Sequence, residues 1–232
     1  MRRPTSAGLA GAACLLVGDA SWLLLTGPPG MPLLAVWFLA AAAFGAFLPG
    51  WANQVSMVRA HLAGPGLIYA LSPRSFGLLA VTVALAGLTD LLDGAVARRF
   101  EGVSSLGGAL DPVVDGVFFG AVAIGLAAGG AYPPWLAAVV VLRYLIPALA
   151  GGVLLLWGRR PRLSHTPLGQ GSTMLIAILL GGAGLLRALG QDTGTLLTFS
   201  EVLIPVGALA TFGNLLWANR HSIGGSGAPR GG

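Results

Sequence analysis

The chain has 232 residues, of which 55% are hydrophobic and only 9% charged, and its mean hydropathy is +0.82. A soluble domain carries about a quarter charged residues, so a water-covered surface is excluded and lipid must be the main solvent. The net charge of +5 comes from arginine alone, since lysine is absent, and the arginines stand singly or in short loops between apolar runs; that pattern suits anionic lipid headgroups and argues against a nucleic-acid surface.

In chain order, apolar runs are predicted at 7–27, 31–51, 54–71, 75–98, 106–130, 133–157, 172–190 and 196–217. Each is read as a helix, because a helix satisfies its own backbone in hydrocarbon. The expected class is therefore all-α and polytopic. Punctuation falls at Gly27-Pro28-Pro29-Gly30, Ser72-Pro73-Arg74-Ser75, Pro133-Pro134 and Gly190–Gly194, and the Gly- and Ser-rich stretch 219–232 is expected to be disordered. Arg2-Arg3 before an apolar stretch ending near Ala20 resembles a leader peptide, but the apolar run resumes after Asp19, so a retained helix is expected. With the N-terminus inside, Arg59, Arg98, Arg99, Arg159, Arg160, Arg162, Arg220 and Arg230 fall on the cytoplasmic side, which gives eight spans with both ends inside. The lone Cys14 excludes an intrachain disulfide and a thiolate zinc site. His61, His165 and His221 lack metal-ligand spacing and are read as loop or membrane-interface residues.

Four of the eight acidic residues lie within 26 positions, in Asp90-Leu91-Leu92-Asp93-Gly94 and Asp111-Pro112-Val113-Val114-Asp115. Carboxylates at the ends of apolar segments are costly and repel one another, so a positive partner is required. Asp90, Asp93, Gly94 and Ala97 share one helical stripe, as do Gly107, Asp111 and Asp115. The short loop 99–105 is expected to make the two helices antiparallel neighbours with facing stripes. Such a cluster of hard oxygen atoms suits Mg²⁺ or Mn²⁺, with two ions plausible at this ligand count.

The string D-x-x-D-G-x-x-A-R-x8-G-x3-D-x3-D is filled at every fixed position, by Asp90, Asp93, Gly94, Ala97, Arg98, Gly107, Asp111 and Asp115. It resembles the motif of the CDP-alcohol phosphotransferases, and Asn53 and Arg59 resemble the start of that family's first core helix. The resemblance implies a six-helix core at 53–218, preceded by a transmembrane pair at 1–52. It implies metal ligation by Asp90, Asp93, Asp111 and Asp115, with Asp115 also the general base. A CDP site is implied at Asp90, Gly94, Ala97, Arg98 and Gly107. The implied reaction moves a phosphatidyl group from CDP-diacylglycerol to an alcohol, with CMP released, at the cytoplasmic face of a bacterial membrane among membrane lipids. A homodimer is compatible with it.

The acceptor is less defined. Arg143, within the fourth core helix, needs a partner; it is read as pairing with the cluster or binding an acceptor phosphate. Arg159, in Gly158-Arg159-Arg160-Pro161-Arg162, belongs either to an ordinary basic loop or to a funnel for an anionic acceptor. The region 143–173 loosely resembles the phosphatidylglycerophosphate and cardiolipin synthase branch, which points to glycerol 3-phosphate or phosphatidylglycerol. Tyr144 stands where that branch tends to have an acid, and Leu168-Gly169-Gln170-Gly171 lacks its lysine, so inositol phosphate, serine or another alcohol stays open. The non-enzyme alternative is an ion-coupled transporter, which would carry acids at mid-membrane on several helices.

Overall fold

The structure is a computed structural model that describes residues 3–101, 105–156 and 167–223. Among them it is all-helical: α1 Ser6–Thr26, α2 Met31–Gly45, α3 Trp51–Ala70, α4 Phe76–Val96, α5 Ser105–Ala128, α6 Pro134–Leu156, α7 Pro167–Ala188 and α8 Gly194–Ile223. A short 3₁₀ turn, Pro73–Ser75, leads into α4, and a π-helical turn, Ala97–Glu101, follows it. Helix α8 runs past the end expected at 217; residues 224–232, most of the stretch expected to be disordered, lie outside the described residues.

Five helical stretches are long and apolar enough to cross a membrane: Ser6–Thr26, Pro73–Arg99, Leu110–Ala128, Gly169–Ala188 and Gly194–Trp217. Two more, Met31–Gly45 and Pro134–Ala150, are apolar but shorter. Helix α2, at 15 residues, reaches only about 22 Å, less than the roughly 30 Å hydrocarbon layer. Large apolar side chains such as Val17, Leu25, Leu33, Leu209 and Leu216 point outward, as a protein solvated by lipid requires. The chain is an integral membrane protein.

Helices α3 to α8 close into a ring. Helix α3 packs on α4 and α5, α5 on α6, α6 on α8, α8 on α7, and α7 back on α4. The interior is filled by Leu79, Phe118, Val122, Leu126, Leu136, Ile176 and Leu180, all essentially inaccessible. Backbones approach closely where glycine allows it: a Cβ on Gly125 of α5 would stand 2.6 Å from Leu67 O of α3.

Helix α3 is the least apolar member of the ring because its polar residues turn inward. Asn53, Gln54, Ser56, Arg59 and His61 are all buried. Several of them hold the α1–α2 hairpin, which packs on α3 outside the ring. The Gln54 side-chain amide donates to Gly45 O and Leu48 O, each at 3.1 Å. Trp37 of α2 donates to Ala60 O, and Trp22 of α1 donates to the Tyr69 hydroxyl. His61 was expected at an interface or in a loop; it instead lies inside the bundle, its Nδ1 2.6 Å from Asp19 Oδ2 and its ring stacked on Phe38. The reason is mutual: Asp19 is an acid within an apolar helix, and the imidazole supplies the hydrogen bond that hydrocarbon cannot.

Replacing Asp19 by Ala should lower stability by about 1–2 kcal/mol, the upper range for a polar contact between membrane helices. Chemical unfolding in detergent measures this, and an unchanged midpoint would show that the pair does not hold the hairpin.

Candidate active site

The aspartate cluster is built by three helices rather than two. Asp90 and Asp93 come from the cytoplasmic-expected half of α4, and Asp111 and Asp115 from the first half of α5. The two helices were expected to face each other directly. Among the described residues they do not pack together; α3 lies between them and touches both. The physical reason is charge. Two acidic stripes in direct contact would repel in a medium of low dielectric, whereas a helix carrying a cation can sit between them.

That cation is Arg59. Its Nη1 lies 2.9 Å from Asp90 Oδ1, and its Nη2 lies 2.9 Å from Asp93 Oδ2 and 3.2 Å from Asp111 Oδ1. Its Nε stands 3.1 Å from Asp115 Oδ1. This last approach lacks hydrogen-bond geometry, so it is an ion contact only, and Nε is otherwise sealed in the interior without an acceptor. The guanidinium is 1% exposed, while the carboxylates grade from Asp115 at 9% and Asp93 at 7%, through Asp111 at 21%, to Asp90 at 54%. The cluster is therefore closed at Asp93 and Asp115 and open at Asp90.

Ser56, one helical turn before Arg59 on the same face of α3, completes the arrangement. Its Oγ is 2.7 Å from Asp93 Oδ2 and 3.0 Å from Asp111 Oδ1. A hydroxyl has one proton to give, so the two carboxylates from different helices share it. Sequence reading did not assign Ser56 a role; its three-residue spacing from Arg59, which puts the two on one face of α3, is the signal that identifies it.

The small residues of the α4 stripe open toward the surface. The guanidinium of Arg98, exposed in the π-helical turn, lies over Gly94, where an added Cβ would meet its Nη1 at 3.2 Å. Ala97 is half-buried in the same turn. Gly107 lies in the first turn of α5, where the backbone alone is described. Arg159 and its loop lie outside the described residues. Arg143 was expected to pair with the cluster or to bind a phosphate; among the described residues it pairs with no carboxylate, and its contacts go to α7 instead.

Four carboxylates against one guanidinium leave the cluster strongly negative, and their oxygen atoms are the donor type that a hard divalent ion takes. The residues thus fit such an ion in chemistry. As arranged here they converge on Arg59, and among the described residues no three acidic, histidine or cysteine side chains are grouped to hold one ion.

Comparison with known proteins bears on this geometry. The profile of the CDP-alcohol phosphatidyltransferase family matches residues 50–213, which contain α3, the aspartate stripes and most of the ring. The chain belongs to this family. It is similar to the cardiolipin synthase (CMP-forming) of Streptomyces coelicolor, 35% identical over 116 residues, covering 47% of this chain and 53% of that protein. It is similar to the probable cardiolipin synthase (CMP-forming) of Drosophila melanogaster, 37% identical over 103 residues, 44% of this chain and 32% of the relative. A rice chloroplastic CDP-diacylglycerol–glycerol-3-phosphate 3-phosphatidyltransferase is 41% identical over 73 residues, 32% of this chain and 22% of that protein. The chain thus spans about half or less of the length of these relatives. No solved structure matches the chain significantly.

Arg59→Gln should cost about 3–5 kcal/mol by leaving buried carboxylates without their cation. Adding Asp93→Asn to the same chain should recover part of the loss. Unfolding in detergent reads both; if Arg59→Gln unfolds like the wild type, Arg59 does not hold the cluster together.

Proposed function

We propose that the chain transfers a phosphatidyl group from CDP-diacylglycerol to an alcohol hydroxyl and releases CMP. The observation that carries this reading is the convergence of Asp90, Asp93, Asp111 and Asp115, in the complete family spacing, around one point of the bundle. The relatives named as CMP-forming synthases support it at the level of reaction. They favour phosphatidylglycerol or glycerol 3-phosphate as acceptor, and the same chemistry on inositol phosphate, serine or another alcohol is the second choice.

In this reading the acceptor oxygen attacks the phosphorus that bears the diacylglycerol. A new P–O bond forms, the bond to the CMP oxygen breaks, and the acceptor proton passes to a carboxylate oxygen of Asp115. Asp115 is buried, and its contact with Arg59 Nε at 3.1 Å holds the carboxylate in place for this task. Asp90, the exposed member, lies where a charged nucleotide enters from water. Gly94, Ala97 and Gly107 leave backbone surface open for its flat base and ribose, and Arg98 meets its phosphates with a charge-assisted contact. Mg²⁺ or Mn²⁺ held by Asp90, Asp93, Asp111 and Asp115, with two ions admitted by the ligand count, would neutralise the donor pyrophosphate. Arg59 and Ser56 keep the carboxylates from different helices in register. The arginine distribution supports an active site on the cytoplasmic side.

CMP release from CDP-diacylglycerol by the purified protein tests the proposal, with lipid products identified by mass spectrometry. Asp115→Asn should lower the rate by about 10²–10⁴-fold; a variant with full activity rules Asp115 out as the base. Treatment with EDTA should abolish CMP release, and added Mg²⁺ or Mn²⁺ should restore it; activity that survives chelation argues against the metal.

A further inference from the structure

The four carboxylates assigned to a divalent ion are the same four that hold Arg59. Nη2 stands between two of them, 2.9 Å from Asp93 Oδ2 and 3.2 Å from Asp111 Oδ1, while Nη1 meets Asp90 and Nε meets Asp115. The guanidinium therefore fills the point on which oxygens from α4 and α5 converge. It is also held mainly by charge. Nε touches Asp115 as an ion contact but has no hydrogen-bond acceptor, although it is sealed in the interior.

Arg143, the other arginine buried among the described residues, is held in a different way. Its Nε and Nη2 donate to Ser172 Oγ, Gly169 O and Thr173 Oγ1, all at 3.1 Å. These are directed bonds to neutral groups, and an ion at the aspartates does not compete for them. Attraction between charges is not directional, so any cation that reaches the same oxygens competes with Arg59.

Size separates the two competitors. Mg²⁺ draws its oxygen ligands in to about 2.0–2.1 Å, closer than the 2.9–3.2 Å at which these carboxylates stand from the guanidinium nitrogens. With the guanidinium between them, no three acidic side chains among the described residues are grouped to hold one ion. One place cannot serve both cations. The ion has twice the charge at the shorter distance; the guanidinium is tethered to α3 and is always at hand.

We infer that Arg59 is a resident competitor of the divalent ion: it keeps the carboxylates of α4 and α5 assembled around itself, and the ion enters by displacing the guanidinium from Asp93, Asp111 and Asp115. Arg59 is thus a positioning residue that weakens ion binding in exchange for a site that stays assembled. The inference rests on the divalent-ion reading above and adds to it what the ion must displace.

The test uses full-length protein in detergent with Mn²⁺ alone, the free ion being read by EPR. Arg59→Gln should bind Mn²⁺ about tenfold or more tightly than the wild type, because the arrangement that accepts the ion is no longer rare. Arg59→Lys, which keeps the charge but loses the fork, should fall between. Asp19→Ala, which loosens the hairpin on α3 without touching the cluster, should bind as the wild type does. Tightening in Asp19→Ala equal to that in Arg59→Gln marks general loosening and overturns the inference, as does unchanged or weaker binding in Arg59→Gln. If Arg59→Gln folds only with Mn²⁺, its unfolding on chelation, with the wild type left folded, is the same exchange read as stability; unfolding to the same extent with and without the ion overturns it. Displacement itself is read by NMR of isotope-labelled arginine in the wild type. The Nε–H signal that is missing from the Arg59→Lys spectrum should move on saturation with Mg²⁺, and a signal that stays in place overturns the inference while leaving the ion reading intact. Absence of Mn²⁺ binding by both wild type and variants defeats the ion reading and the inference together, and CMP release then decides the transferase reading separately.

Discussion

One guanidinium facing four carboxylates is the constraint around which the bundle is organised. Isolated acids in a membrane helix are unfavourable, and four together are more so. Arg59 makes them tolerable by standing between the two helices that carry them, within 3.2 Å of each. The geometry of the ring follows. Helix α3 separates α4 from α5, and α4 and α5 then reach their other neighbours, α7 and α6. The residual negative charge is of the kind that the divalent cation of the proposed reaction would answer.

Much of this was legible in the sequence because two of its periodicities are strong. The apolar runs gave eight helices at nearly their observed positions, since hydrocarbon leaves the backbone little choice. The motif residues gave the aspartates, since i, i+3, i+4 spacing fixes a common helix face without knowledge of the neighbours. What sequence did not reveal was who the neighbours are. A short connection between α4 and α5 suggested direct contact, but adjacency in the chain does not decide lateral packing when a third helix brings the neutralising charge. Ser56 and His61 were passed over for the same reason: each acquires meaning only through a partner 37 or more residues away, Asp93 for the first and Asp19 for the second. Arg143 was recognised as needing a partner, but its neutral surroundings on α7 could not be read from spacing.

The α1–α2 hairpin lies outside the matched family region, yet it is not loosely attached. It is held along the length of α3, by Gln54 near one end, Ala60 and His61 in the middle, and Tyr69 near the other. The helix that carries Arg59 is therefore clasped on one side by the hairpin and on the other by the acidic helices. Its polar residues divide between the two: Gln54 and His61 turn to the hairpin, Ser56 and Arg59 to the site.

That division has a consequence for how the protein is made. Synthesis runs from α1 onward, and α3 is a poor span by composition. An arginine at the centre of a helix costs about 2.5–3.5 kcal/mol on insertion. When α3 leaves the ribosome, the acids of α4 and α5 do not yet exist, but Asp19 and the carbonyls of Gly45 and Leu48 do. The hairpin can thus receive Gln54 and His61 at once and carry α3 into the bilayer, leaving Arg59 as the only charge still waiting. The seam between hairpin and α3 therefore draws on no side chain of the acidic helices.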